Sequence, residues 1–130
     1  MKFLFGVQLE AMGHKLVEDN VRELLANADL VIDCLDNAEA RHIVQRHVRD
    51  CSLPCLHGAL AADGSFGRIV WDEDFAIDAE PSEGAATCED GEHLPFIAIT
   101  AAYLAKAVQE FLAHDRKIGF QVHPGGAHRI

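Results

Sequence analysis

Hydrophobic positions along this chain change period several times, and each change marks an element. Phe3, Phe5, Val7 and Leu9 alternate with Leu4, Gln8 and Glu10. That period of two predicts a strand over Lys2–Met12 with one face buried. Val21, Leu24 and Leu25 then fall at helical spacing behind Asp19 or Asn20, predicting a short capped helix over Val21–Ala26. Leu30-Val31-Ile32 is continuously apolar and ends in Asp33-Cys34, as suits a strand covered on both faces in a parallel sheet. Asn37 is a natural cap for a helix over Ala38–Asp50, whose Ala40, Ile43, Val44, His47 and Val48 recur at threes and fours. Pro54 precedes another buried strand, Cys55–Leu60. Asp63-Gly64 marks a turn, and Phe66–Trp71 forms the strand after it.

From Asp72 to Gly91 the pattern dissolves into Asp, Glu, Pro and Gly, the composition of a solvated loop. Pro95 suits the first turn of a long helix reaching about Ala113, with Ile97, Ala101, Ala105, Val108 and Leu112 as its buried stripe. Its many alanines allow close approach to a sheet or another helix. Gly119–Val122 is a last short strand, and residues 124–130, opening Pro-Gly-Gly, read as a flexible tail. The alternation of strands and helices predicts an α/β fold over residues 1–130 as a single domain.

Composition narrows the partners. The chain has 130 residues, 49% hydrophobic and 25% charged, enough to bury one core. With 21 acidic against 11 basic residues, its formal charge of −10 repels phosphate backbones, so no nucleic acid partner is expected. No apolar run approaches the roughly 20 residues that cross a bilayer, so no membrane is expected either. Gln8 and Glu10 interrupt the N-terminal segment too early for a signal peptide. Cys34 and Cys55 lie within apolar strand patterns, where a thiol behaves as a small hydrophobe; free thiols and a cytoplasmic location follow. The eight histidines are dispersed, and His57, before Gly58 in a strand, is the one expected to be buried. Ser65 and Ser82 lack a nucleophile elbow.

The turn Asp33-Cys34-Leu35-Asp36-Asn37 is the leading site for chemistry. It ends a parallel strand, where open α/β sheets bind ligands. A carboxylate there, beside a helix N-terminus, can hold a hydrated magnesium ion bound to phosphates. Asp36 and Asn37 also read simply as helix caps.

Five landmarks carry a resemblance to a family. The strand ends Asp33-x-x-Asp36-Asn37, Arg41 follows four residues later, and Pro54 precedes a strand containing Gly58. Gly67 lies in the next strand, and Cys88 leads through a Gly-containing loop into an Ala-rich helix. In this order they resemble the C-terminal part of the ThiF/MoeB/HesA enzymes, which adenylate ubiquitin-like sulfur carriers. The resemblance implies a partial Rossmann-like fold, a mainly parallel sheet with flanking helices, lacking the N-terminal nucleotide-binding βαβ. It implies ATP and magnesium as cofactors of the complete enzyme, with Asp36 positioning the metal and Asn37 and Arg41 shaping the same turn. It implies a catalytic thiol at Cys88, and residues 72–91 as the crossover segment over which a carrier tail passes. A homodimer or a full-length partner subunit is implied as well.

Several residues depart from that pattern. Before Asp36 the only glycines are Gly6 and Gly13, and neither opens a helix after a strand, so no phosphate cradle is legible. Cys51-x-x-x-Cys55 has the wrong spacing for structural zinc, and none is expected. Glu89 and Asp90 flank Cys88 and disfavour its thiolate. The chain alone is therefore expected to be inactive. The alternative is a catalytically dead relative that acts as a dimerisation or carrier-binding module. A dinucleotide-dependent oxidoreductase fragment shares the sheet but needs its own glycine motif.

Overall fold

A computed structural model describes residues 2–4, 6–61, 63–77, 91 and 93–130. Its elements in chain order are β1 (Lys2–Leu4), β2 (Val7–Leu9), α1 (Val21–Leu24), β3 (Val31–Asp33), α2 (Ala38–Asp50), β4 (Cys55–Leu60) and β5 (Gly67–Trp71). A 3₁₀ turn (Asp72–Asp74), α3 (Leu94–His114), β6 (Phe120–His123) and β7 (Gly126–Arg129) follow. Strands β3-β4-β5-β6-β7 lie side by side in one sheet, and β1 and β2 form a separate hairpin.

The α/β class and the partial Rossmann-like layout hold, but the pairing is mixed instead of mainly parallel. Only β3 and β4 run parallel; β4–β5, β5–β6 and β6–β7 are antiparallel. The reason lies in the connections. A parallel return needs a dozen or more residues, so the short links after β4 and β6 permit only hairpins, whereas β5 and β6 are antiparallel across the long link that carries α3. For the same reason residues 124–130 do not form a free tail. Pro124-Gly125 is a two-residue turn, and β7 pairs with β6 from His123↔Gly126 to Phe120↔Arg129.

The N-terminal segment also departs from expectation. A turn at Gly6, whose φ is +78°, breaks the single strand predicted over Lys2–Met12 into two short ones. Neither face of β2 is buried: Val7 and Leu9 are 56% and 46% exposed.

Side chains alternate between the two sheet faces, and each face has its own helix. Leu56, Ile69, Trp71, Phe120 and Val122 pack with Phe96 and Ala107 of α3 and with Ile118. On the other side Val31 and Cys55 pack with Val44 and Val48 of α2. Gly67 lets α3 come close, since a Cβ there would sit 3.1 Å from Thr100. The stripe of α3 that faces the sheet is Phe96, Thr100, Leu104, Ala107 and Phe111, not Ile97, Ala101, Ala105 and Leu112. An alanine-rich helix has little amphipathic contrast, so its three aromatics, Phe96, Tyr103 and Phe111, decide which face turns inward. Among the described residues α3 is the one helix long and apolar enough, at 21 residues with an 18-residue stretch of mean hydropathy 1.4, to meet the bilayer criterion that the sequence was expected to miss. Here one of its faces packs on the sheet instead.

Candidate functional site

The Asp36–Asn37 turn joins the carboxyl end of β3 to the first turn of α2. Asn37 is extended (φ −136°, ψ 146°), and its side-chain oxygen accepts the Ala40 N–H at 2.8 Å. That bond satisfies one of the otherwise orphan amides of the helix start. Asn37 is thus the cap, which leaves Asp36 free of that duty. Asp36 is exposed and accepts a bond from the Asn37 side-chain amide at 3.2 Å.

Beneath this turn lies a buried polar network that the sequence reading did not assemble. Asp33 and His57 sit directly opposite each other in the parallel β3–β4 pair. His57 is completely buried, as its place before Gly58 suggested. Its Nδ1 lies 2.7 Å from Asp33 Oδ2, and its Nε2 lies 2.9 Å from Asp72 Oδ1. The Phe75 ring stacks on the imidazole at 4.0 Å and 9°.

Helix α2 closes the network with residues spaced by four along one face, Arg41, Gln45 and Arg49. Arg41 donates to Asp33 Oδ2 at 3.1 Å and to the Gly58 carbonyl at 2.9 Å. Gln45 donates to Asp72 Oδ1 at 3.0 Å and to the Phe75 carbonyl at 3.2 Å. Arg49 donates to Asp72 Oδ2 at 2.7 Å and to the Asp72 carbonyl at 3.1 Å. Two carboxylates are therefore matched by two guanidiniums around one histidine. Among the described residues no buried side-chain nitrogen or oxygen lacks a partner.

Asp72 was expected in a solvated loop, yet it is buried. The cause is its position, immediately after β5 and under α2, where Gln45 and Arg49 reach it. Burial pushes its carboxyl up, but the bonds from Arg49, His57 and Gln45 together outweigh that and hold it below the ordinary carboxylate value. The thiols in this region move the other way. Partial desolvation, reinforced by Asp33, raises the Cys34 thiol although the residue is exposed, and the Cys55 thiol is pushed up to about 12 by burial, Asp33 and Asp72. Neither is poised as a nucleophile at neutral pH. Cys88 and residues 78–90 of the expected crossover segment lie outside the described residues.

An open cleft of about 510 Å³ lies on the outer side of α2, walled by Lys15, Glu18, Asn37, His42 and Arg46. Arg46 and Glu18 form an ion pair across it. Asn37 borders the cleft and Asp36 does not.

These residues fit magnesium at one point only. Magnesium is typically held by one or two carboxylates together with water and substrate phosphates, and exposed Asp36 can supply one such contact. Among the described residues no group of three His, Cys, Asp or Glu side chains forms a metal centre. Asp33 and Asp72 each already bond to His57 and to an arginine of α2. Nor do the residues around Asp36 compose a triphosphate clamp, because Arg41, placed by the sequence at this turn, is turned inward onto Asp33 and Gly58.

The missed residues carried a faint signal. Arg41, Gln45 and Arg49 mark a polar stripe along α2, beside the apolar Ala40-Val44-Val48 stripe. Nothing local in the sequence points from that stripe to Asp72.

Two comparisons bear on this geometry. The profile described as ThiF family matches residues 1–122. The molybdopterin-synthase adenylyltransferase of Haemophilus influenzae is 32% identical over 53 residues, covering 41% of this chain and 22% of that protein. The aligned stretch thus spans under a quarter of that relative.

Proposed function

This chain belongs to the ThiF family, and on that premise we propose that it forms part of an ATP-dependent adenylyltransferase. The substrate is the C-terminal carboxylate of a ubiquitin-like sulfur carrier, activated in the cytoplasm as an acyl-adenylate with release of pyrophosphate. The supporting relative is an adenylyltransferase by name. The observation that carries the reading is the division of labour at the turn: Asn37 caps α2, and Asp36 keeps its carboxylate exposed at the end of a parallel strand. Asp36 would hold magnesium, whose charge neutralises phosphate oxygens when it is bound. The residues around Asp36 supply no clamp for the phosphates, since Arg41 turns inward, so this chain alone should bind ATP weakly.

A second reading has its own observation. Leu94, Ile99 and Leu112 on the outer side of α3 are exposed, which suits a dimerisation or carrier-docking module without catalysis.

Manganese, a paramagnetic substitute for magnesium, separates the two. In nuclear magnetic resonance spectra of the chain with millimolar Mn-ATP, the Asp36 and Asn37 amides should broaden selectively. Asp36→Asn should abolish that broadening. Uniform or absent broadening in the native chain would remove the metal role and favour the docking module.

A further inference from the structure

We propose that His57 is a positioning residue that couples the root of the 72–91 segment to the turn presenting Asp36. The chain of contacts is continuous. Asp33 Oδ1 accepts the Leu35 N–H at 2.9 Å, a side-chain turn that sets the backbone one residue before Asp36. The other oxygen of the same carboxylate takes Nδ1 of His57 at 2.7 Å and Arg41 at 3.1 Å. Across the ring, Nε2 meets Asp72 at 2.9 Å, where the acidic segment leaves β5.

Phe75 strengthens the link from above. Its ring lies on the imidazole, the Arg41 guanidinium stands 5.6 Å from its centroid, and its carbonyl accepts from Gln45. Displacing the start of the 72–91 segment therefore disturbs His57 on two sides. His57 is wholly buried, so the disturbance is not absorbed by water. Each ring nitrogen thus lies within hydrogen-bond distance of a carboxylate, and the groups around the ring are Asp33, Asp72, Cys55 and, through those carboxylates, Arg41 and Arg49.

In functional terms, whatever displaces Asp72 or Phe75 is felt at Asp36. That consequence rests on the adenylyltransferase reading, whereas the coupling itself does not.

Asp72→Asn and Phe75→Leu test the coupling in the full chain. Both should shift the Leu35, Asp36 and Asn37 amide resonances and speed Leu35 amide exchange about tenfold, the protection given by roughly one hydrogen bond. Amides of α3 such as Leu104 should stay unchanged, which a general loss of stability would not allow. Leu35, Asp36 and Asn37 unmoved in both folded variants, or all amides moving together, would overturn the proposal. If Asp72→Asn does not fold, Phe75→Leu at a half-buried position still gives the answer. Failure here with Mn-ATP broadening intact removes the coupling alone, and the opposite pattern removes the metal role alone.

Discussion

The two faces of the sheet are held by different physics. Against α3 the contact is mainly apolar, from Leu56 and Ile69 to Phe120 and Val122; its polar groups are Thr100, bonded back to the Phe96 carbonyl at 3.0 Å, and Trp71, which donates its one N–H to the Ile118 carbonyl at 3.0 Å. Against α2 a small apolar cluster is joined by the Asp33–His57–Asp72 network and its Arg41, Gln45 and Arg49 partners. Apolar burial is non-directional and tolerates small slips. A buried network of charged hydrogen bonds accepts one arrangement and penalises the rest. The face carrying Asp36 is the directional one, so the turn inherits a fixed geometry that the α3 face could not impose.

Truncating each face at adjacent residues exposes the contrast. His57→Ala removes the ring that both Asp33 and Asp72 contact and leaves a buried cavity between them, and should cost about 4 kcal/mol from lost hydrogen bonds and lost packing. Leu56→Ala, on the apolar face, should cost about 3 kcal/mol from lost transfer energy and a cavity. Urea unfolding measures both. The sharper discriminator is coupling to Asp72→Asn. That change should be non-additive with His57→Ala by at least about 0.5 kcal/mol and additive with Leu56→Ala within that margin. Additivity in both pairs would mean that the network acts as separate bonds.

The same contrast explains what the sequence disclosed. Periodicity located α2 from Ala38 to Asp50, its Asn37 cap, and β4 from Cys55 to Leu60, because local spacing and cap chemistry decide those elements. It placed Asp36 at the end of a strand for the same reason. It failed on α3, where Ala101 and Ala105 resemble Ala107 in composition and only packing distinguishes inside from outside. It failed again at Asp72, because an acid among acids reads as solvated until Gln45 and Arg49, more than 20 positions earlier, are brought over it. The hairpin at Pro124-Gly125 was misread because Pro-Gly serves equally as a turn and as a frayed end.

A change of pH should weaken one face and spare the other. Since Asp72 is held below the ordinary carboxylate value in the folded protein, it binds its proton more readily once unfolded. Its contribution is fully present above about pH 5 and disappears as the pH falls through the folded value. The stability gap between the native chain and Asp72→Asn should therefore narrow steadily in urea titrations taken from neutral to acid pH. The gap between the native chain and Leu56→Ala should stay level, because its neighbours in that cluster are apolar apart from Tyr103, a phenol that stays protonated from neutral to acid pH. Parallel gaps for both variants would show that Asp72 contributes shape and not charge.

The smallest effect should come from the outer side of α3. Leu112 is 70% exposed, whereas Ala107 on the same helix is completely buried between α3 and the sheet. Leu112→Ala removes little buried surface and keeps a strong helix former, so it should change stability by less than about 0.5 kcal/mol. Ala107→Leu forces extra volume into a packed contact and should cost about 1–3 kcal/mol. A large loss from Leu112→Ala would instead mean that another surface covers this side of α3 in solution. That surface, if supplied by a second copy of the chain, would make the unfolding midpoint rise with protein concentration.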